Sequence, residues 1–308
     1  MPDILSLGEP MWEMSAIPDE PGKYTLGYGG DTANFCVAAA RQGASVGYLT
    51  RVGADPFGDA LRDIWRREGI DISRVAVDTV ASTGGYFIHH GETGHSFSYA
   101  RAGSAATYLS PADIDASVIA SARVVHASGI TQAISLGARA ATQRLFETAR
   151  AAGVLVAFDS NYRPRLWSVA QANVALAEVL PLVDYFFPSI EDGRALSQLT
   201  TAQDIIDWAH ALGARAVSLK LGADGVLLSA KRGAAARHIS GFSVATVDAT
   251  GAGDCFAGAT MARLVAGDDL PVAARYACAA AALTTTGYGA IAAIPTRQQV
   301  TAFIQSNP

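Results

Sequence analysis

Charge is scarce in this chain. Asp, Glu, Lys and Arg make up 17% of its 308 residues, and acid outnumbers base to leave a net charge of −5. A general nucleic-acid binder presents a basic face, so that class is excluded. An anionic ligand must instead be held by a few local Arg and Lys side chains. Long hydrophobic runs are also missing. No apolar stretch reaches the length of a membrane span, and residues 1–8 lack the charged and apolar regions of a secretory signal, reading as a strand that starts at once. Cysteine is rare and odd in number: Cys36, Cys255 and Cys278 lie in apolar helical patterns without CxxC or zinc spacing. That excludes a disulfide framework and predicts reduced core thiols in a cytoplasmic protein. No GxxxxGK(S/T) phosphate loop occurs, so any nucleotide is held without one. Internal repeats and low-complexity tracts are absent too. What is present is apolar mass: 50% of the residues are hydrophobic, enough for a large core in one big domain or a domain with an appendage.

The most informative segment is Asp248-Ala249-Thr250-Gly251-Ala252-Gly253-Asp254. Apolar residues 241–247 lead into it and a small-residue helical stretch, 256–266, leads out. A carboxylate therefore stands where a glycine-rich turn meets a helix N-terminus. Backbone N–H groups of Gly251, Ala252, Gly253 and Asp254 lack intrahelical partners there and can face an anion. Asp254 can take a proton from a hydroxyl held beside that anion, which is the minimum equipment for moving a phosphoryl group onto an alcohol. Taken alone, the same residues also suit plain helix capping by Asp.

The centre and C-terminal half alternate short β-rich runs with helical patterns. Strands are predicted at 123–128, 154–158, 185–187, 216–220 and 225–229, and helices at 136–151, 168–180 and 204–212. This rhythm predicts a parallel sheet covered by helices, an α/β fold with ligands bound beyond the carboxyl ends of the strands. Residues 13–28 and 84–99 break the rhythm with turns and alternating patterns, the second reading as a hairpin through Gly91-Glu92-Thr93-Gly94. Together they predict a small projecting β-sheet over about 10–30 and 84–101. It could cover a substrate, join two copies of the chain, or both.

Other segments carry polar chemistry. Gly29, Gly30, Asp31 and Asn34 precede a small-residue helix, 35–42. The paired glycines let backbone approach a ligand, although an ordinary capped turn looks the same. Asp159, Asn161, Arg163 and Arg165 follow the 154–158 strand, where the architecture puts sites, and a guanidinium matches a carboxylate or phosphate. Lys220, Gly222 and Gly225 join two strands as a tight turn or a nucleotide-side loop. His89, His90 and His95 lack a carboxylate or thiol at ligand spacing, so a metal site there is set aside. Gly287-Tyr288-Gly289-Ala290-Ile291-Ala292 matches a dinucleotide pattern, but the short tail after it leaves no room for a βαβ unit.

These segments together resemble the ribokinase-like (PfkB) family of sugar and nucleoside kinases over nearly the whole chain. Gly29 to Asn34 looks like the family's N-terminal signature and Asp248 to Asp254 like its C-terminal one. Arg51-Val52-Gly53-Ala54-Asp55-Pro56-Phe57-Gly58 is similar to a VGxDxFG stretch of the family. Within it, Asp159 to Trp167 and Tyr99 to Ala105 are similar to segments of 2-keto-3-deoxygluconate kinases, whose sugar-acid substrate gives Arg163 a carboxylate to recognise. The resemblance implies a three-layer α/β/α kinase domain over 1–308 with a lid. It implies Asp254 as base and Gly251, Ala252 and Gly253 as N–H donors to the phosphoryl. Gly29, Gly30, Asp31, Asn34, Tyr86, Tyr99, Arg101 and Arg163 would line the sugar-acid pocket. Asn161, Ser189, Lys220, Gly222, Gly225, Cys278 and Gly287 would lie along ATP, with Mg2+ bridging its phosphates. In parts of the family a K+ site adjoins the loop that corresponds to Asp248. One departure concerns the metal: where the family carries NxxE, this chain has Ser189-Ile190-Glu191-Asp192, so Asp192 would act indirectly in place of Glu, or Glu191 would serve instead. No nucleic acid or membrane partner is implied, and a homo-oligomer through the lid sheet is expected. The competing readings are a fructokinase or other neutral-sugar kinase and, from another class, a non-catalytic sugar-binding regulator.

Overall fold

The computed structural model describes residues 1–17, 20–91 and 94–307. Among the described residues, thirteen strands divide between two sheets. In chain order they are β1 (Ile4–Leu7), β2 (Met11–Ala16), β3 (Tyr24–Gly29), β4 (Val46–Gly53), β5 (Val75–Asp78), β6 (Gly85–Gly91), β7 (Gly94–Ala100), β8 (Val124–Ser128), β9 (Leu155–Asp159), β10 (Tyr185–Phe186), β11 (Ala216–Lys220), β12 (Val226–Ser229) and β13 (Arg237–Ile239). Nine form one sheet in the order β13-β12-β11-β10-β9-β8-β1-β4-β5. From β5 to β11 its pairings are parallel, and only the β11–β12 and β12–β13 pairings are antiparallel, so β12 alone runs against the rest.

The central strands are buried on both faces, which is why they read as continuous apolar runs and not as alternation. Side chains nevertheless alternate between two cores, as the period of two requires. Ile4, Val124, Ala157 and Phe187 enter one core with the helices Asp31–Arg41, Ala252–Val265 and Leu270–Thr284. Leu5, Val125, Phe158 and Phe186 enter the other with Leu136–Ala151. The first two helices pack closely because their facing residues are small. A Cβ at Gly258 would lie 2.5 Å from the carbonyl oxygen of Phe35.

The other sheet has the order β3-β2-β6-β7. Its outer pairs are antiparallel, while β2 and β6 run parallel, so it is more than a pair of joined hairpins. It occupies the two stretches that break the sequence rhythm. Residues 92 and 93, at the tip of the expected hairpin, lie outside the described residues.

Strand 216–220 and helix 136–151 have the expected bounds. Two helices begin earlier than their apolar patterns. Asp31–Arg41 starts straight after Gly30, and Ala252–Val265 straight after Gly251. Asp31, Asn34 and Asp254 thus belong to first helical turns, where a carboxylate faces the positive end of the helix. Residues 241–247 are irregular, held by bonds such as Val247 N–H to the Thr285 carbonyl at 2.7 Å and not by strand pairing.

Candidate active site

The carboxyl ends of β1, β8, β9 and β11 all face the N-termini of the helices Asp31–Arg41 and Ala252–Val265. Acidic groups collect there. Asp254 Oδ2 accepts a hydrogen bond from Asn34 Nδ2 at 2.8 Å, and its Oδ1 accepts one from Asn161 Nδ2 at 3.3 Å. The same Asn161 amide donates to Asp31 Oδ2 at 3.1 Å. Lys220 Nζ lies 2.5 Å from Asp159 Oδ2 as a buried ion pair. Burial pushes the Asp254 carboxyl up to about 7, and the charges of Asp31 and Asp159 add to the rise. The Asn34 bond and the Lys220 charge act against it. A carboxylate so placed holds a proton near neutrality, which suits a general base.

Two glycines shape the approach. Gly251 caps its helix at φ 77°, a left-handed conformation that a side chain would resist. Gly30 has φ 102°, and a Cβ there would be 2.3 Å from the Glu9 carbonyl oxygen. Of the expected anion donors, the Ala252 N–H bonds inward to the Ala249 carbonyl at 3.2 Å. This differs from the expectation that all three face outward: the tight turn before the helix draws Ala252 into a local bond. Gly251 and Gly253 have no backbone acceptor among the described residues.

On one side of Asp254 lies the small sheet. The Tyr86 hydroxyl donates to Glu13 Oε2 and comes within 3.1 Å of where a Gly29 Cβ would stand, with Asn34 Oδ1 at 3.7 Å from that point. Burial raises the Glu13 carboxyl, and burial together with the Glu13 charge raises the Tyr86 phenol. Tyr99 is 6.0 Å from the Tyr86 ring and carries the Arg101 guanidinium over its face at 4.9 Å. Arg101 Nε also approaches the buried Glu9 carboxylate at 2.8 Å. Burial raises Glu9 to about 7, with Arg101 opposing and Asp31 assisting. Arg163 is exposed, donates to the Tyr162 carbonyl at 3.1 Å, and pairs with no carboxylate among the described residues.

On the other side a cleft of about 940 Å³ opens. Lys220, Gly222, Gly225, Gly253 and Cys278 line it, together with Phe242. Asn161, Ser189 and Gly287, also expected along the nucleotide, are not among its lining residues. Asn161 instead joins the carboxylates. Ser189 Oγ accepts from Asp192 N at 3.0 Å and caps the helix Ile190–Ser197. Asp192 Oδ2 accepts from Ser160 Oγ at 2.7 Å and from Tyr162 N at 3.1 Å, fastening the loop that holds Asn161. Asp248 ties its own loop: Oδ1 accepts from Thr250 N at 2.9 Å and Oδ2 from Gly289 N at 3.1 Å. Among the described residues no group of three or more His, Cys, Asp or Glu has the arrangement of a metal site. His90 and His95 side chains lie outside the described residues.

Glu9 and Glu13 were not among the expected site residues, and Asp159 was expected only as one of the polar residues after its strand, with no role of its own. Their signal was positional: Glu9 and Glu13 follow the end of β1, and Asp159 ends β9.

A mostly parallel α/β sheet with a small side sheet, a buried carboxylate in the first turn of a glycine-capped helix, and a cleft on its far side define a ribokinase-like phosphotransferase. The chain belongs to the PfkB family of carbohydrate kinases, the pfkB family carbohydrate kinase profile matching residues 1–297. It is 35% identical to the 2-dehydro-3-deoxygluconokinase of Thermoproteus tenax, over 97% of this chain and 93% of that one. It is 34% identical to the 2-dehydro-3-deoxygalactonokinase of Haloferax volcanii, over 86% and 84%. A structure described as a Ribokinase II from E. coli, in complex with ATP and Mg2+, superposes with a TM-score of 0.90 at 28% identity, over 99% of this chain and 100% of that one.

Proposed function

We propose that this kinase transfers the γ-phosphoryl of ATP to the terminal 6-hydroxyl of 2-dehydro-3-deoxygluconate, the compound also called 2-keto-3-deoxygluconate. The observation that carries this reading is Arg163: an exposed guanidinium at the carboxyl end of β9, without a carboxylate partner among the described residues. A sugar acid supplies that partner, whereas a neutral hexose does not. Kinship with kinases named for two keto-deoxy sugar acids supports the substrate class.

In this reading the sugar lies against Gly29, Gly30, Asp31, Asn34, Tyr86, Tyr99 and Arg101, with its carboxylate toward Arg163. The 6-hydroxyl attacks in line as Asp254 accepts its proton. Asn34 and Asn161 fix both oxygens of that base, so no reorganisation is needed at the moment of transfer. Gly251 and Gly253 direct N–H groups at the transferring phosphoryl, and Lys220 offsets its charge. The cleft residues Gly222, Gly225 and Cys278 hold the nucleotide. Its room and its bordering cation fit ATP. Mg2+ on the phosphates would neutralise their charge; Asp192, whose Oδ2 is engaged, would reach its waters through Oδ1. The small sheet covers the sugar and excludes water, which limits idle ATP hydrolysis. The outward residues Tyr24 and Leu26 on its edge strand β3 suit it as the contact between two copies.

The test is ATP consumption with Mg2+ against keto-deoxy-gluconate, keto-deoxy-galactonate, fructose, ribose and adenosine. Strong turnover confined to keto-deoxy sugar acids is expected, with a large loss in Arg163→Ala. Preference for fructose or ribose would overturn the substrate and reduce Arg163 to a structural contact.

A further inference from the structure

β1 ends at Leu7, and Glu9 stands where the chain leaves the large sheet for the small one. β7, the last strand of the small sheet, ends at Ala100, and Arg101 is the next residue. The two meet as an ion pair. Arg101 Nε lies 2.8 Å from Glu9 Oε2, with side chains 12% and 1% exposed. The guanidinium is held on three sides: Nε faces Glu9, Nη2 donates to Met11 Sδ at 3.5 Å, and the cation lies 4.9 Å above the Tyr99 ring. Its backbone is pinned as well. The Arg101 carbonyl accepts from Ser104 N at 2.9 Å, across a turn in which Gly103 has φ 72°. Nη1 makes no hydrogen bond among the described residues and, unlike Nε, is not enclosed.

Neither carboxylate oxygen of Glu9 accepts a hydrogen bond among the described residues. Its tie to Arg101 is therefore a contact of charges and not an aligned hydrogen bond. Burying an ionised carboxylate with so little support costs stability, and a neutral residue of the same shape would cost less. Glu9 is thus better explained by what it does to Arg101 than by what it adds to the fold.

We propose that Glu9 is a positioning residue for acceptor recognition: its carboxylate holds the Arg101 guanidinium over Tyr99 so that Nη1 faces the sugar, and offsets the guanidinium charge so that this N–H reads a hydroxyl and not the acid. The proposal rests on the reading in which Tyr99 and Arg101 line the sugar pocket. It divides the two arginines by their partners. Arg101, neutralised by Glu9, suits an uncharged hydroxyl. Arg163, with no carboxylate partner among the described residues, keeps its charge for the carboxylate of the sugar. Without Glu9, only a weak sulfur acceptor and the ring face hold the guanidinium, and its rotamer freedom returns.

The test uses the whole chain at pH 8, where Glu9 is ionised, with whichever sugar of the panel it turns over best. Glu9→Gln keeps the shape and removes the charge. It should raise KM for the sugar roughly tenfold, about the worth of one hydrogen bond from a charged donor, while kcat and KM for ATP stay within about twofold. Denaturant titration of the same variant should show no loss of stability. A residue serving the fold alone would lose stability and binding together, or neither. An unmoved sugar KM overturns the proposal. Because Glu9 acts only through Arg101, the double variant Glu9→Gln with Arg101→Met should bind the sugar no worse than Arg101→Met alone. A further rise of KM in the double variant overturns the proposal. Should Glu9→Gln fail to fold, Glu9→Asp, which keeps the charge and withdraws it by one methylene, should raise the sugar KM, and an unmoved KM there overturns it equally. The pocket reading fails separately. Arg101→Met with an unchanged KM for the sugar would remove Arg101 from the pocket and take the proposal with it, whereas a raised KM there beside an unmoved Glu9→Gln overturns the proposal alone.

Discussion

Asn161 bridges two carboxylates with one amide and does so from φ 34°, a backbone conformation that few side chains tolerate. Asn accepts it more readily than most, so position and strain agree on this residue. The charge around it sets the pH response. A base must be ionised to take a proton, so kcat/KM for the sugar should rise with pH up to about 7 and level off above. Lys220 lowers the proton affinity of Asp254, so Lys220→Met should move that limb to higher pH and weaken ATP binding; initial rates between pH 5 and 9 check both. Asp254→Asn should lower turnover roughly 10²–10⁴-fold with the fold intact. Glu9 makes a stability prediction. Its folded pKa, raised to about 7, exceeds its unfolded value. The folded state therefore binds the proton more tightly, and stability falls as pH rises from about 4.5 to 7. Relative to Glu9→Gln, the wild type should lose up to about 3 kcal/mol across that window in denaturant titrations.

Among the elements, the long buried strands and the helix 136–151 were legible because apolar runs and turn residues mark them without help from distant chain. The first turns of the helices at Asp31 and Ala252 were not, because Asp31, Thr32 and Asn34 read as turn residues and only the tertiary site turns them into helix. The Glu9–Arg101 and Asn161–Asp31 contacts were equally hidden, since nothing local pairs residues so far apart in the chain. The signature Asp254 and its glycine turn were visible; the inward bond of Ala252 was not. The small sheet is moored by specific bonds. Asp55 accepts from Thr83 N at 2.7 Å and from Gly58 N at 2.8 Å, joining the base of the sheet to the helix Pro56–Arg67. Burial would raise this carboxyl, yet those bonds outweigh it and hold it below its ordinary value. Asp55→Ala should cost about 1–2 kcal/mol through the lost cap and raise KM for the sugar more than KM for ATP. Equal changes in both constants would refute the mooring. Arg165 adds a strap, donating to the Phe97 carbonyl on β7 at 2.8 Å.

Across the whole molecule, no helix among the described residues is long and apolar enough to cross a membrane. The side sheet takes all its strands from residues before 101, whereas the residues lining the cleft begin at Lys220. Asn34 and Asn161 are the only described side chains that hydrogen-bond to the Asp254 carboxylate, and each comes from outside the cleft half. On the proposed reading the chain thus places most of what meets the acceptor early in its length, Arg163 excepted, and what grips the donor late. Such a layout is open to divergence by parts: substitutions in the side sheet and at Arg163 would retune the choice of sugar while the cleft residues from Lys220 onward are inherited unchanged.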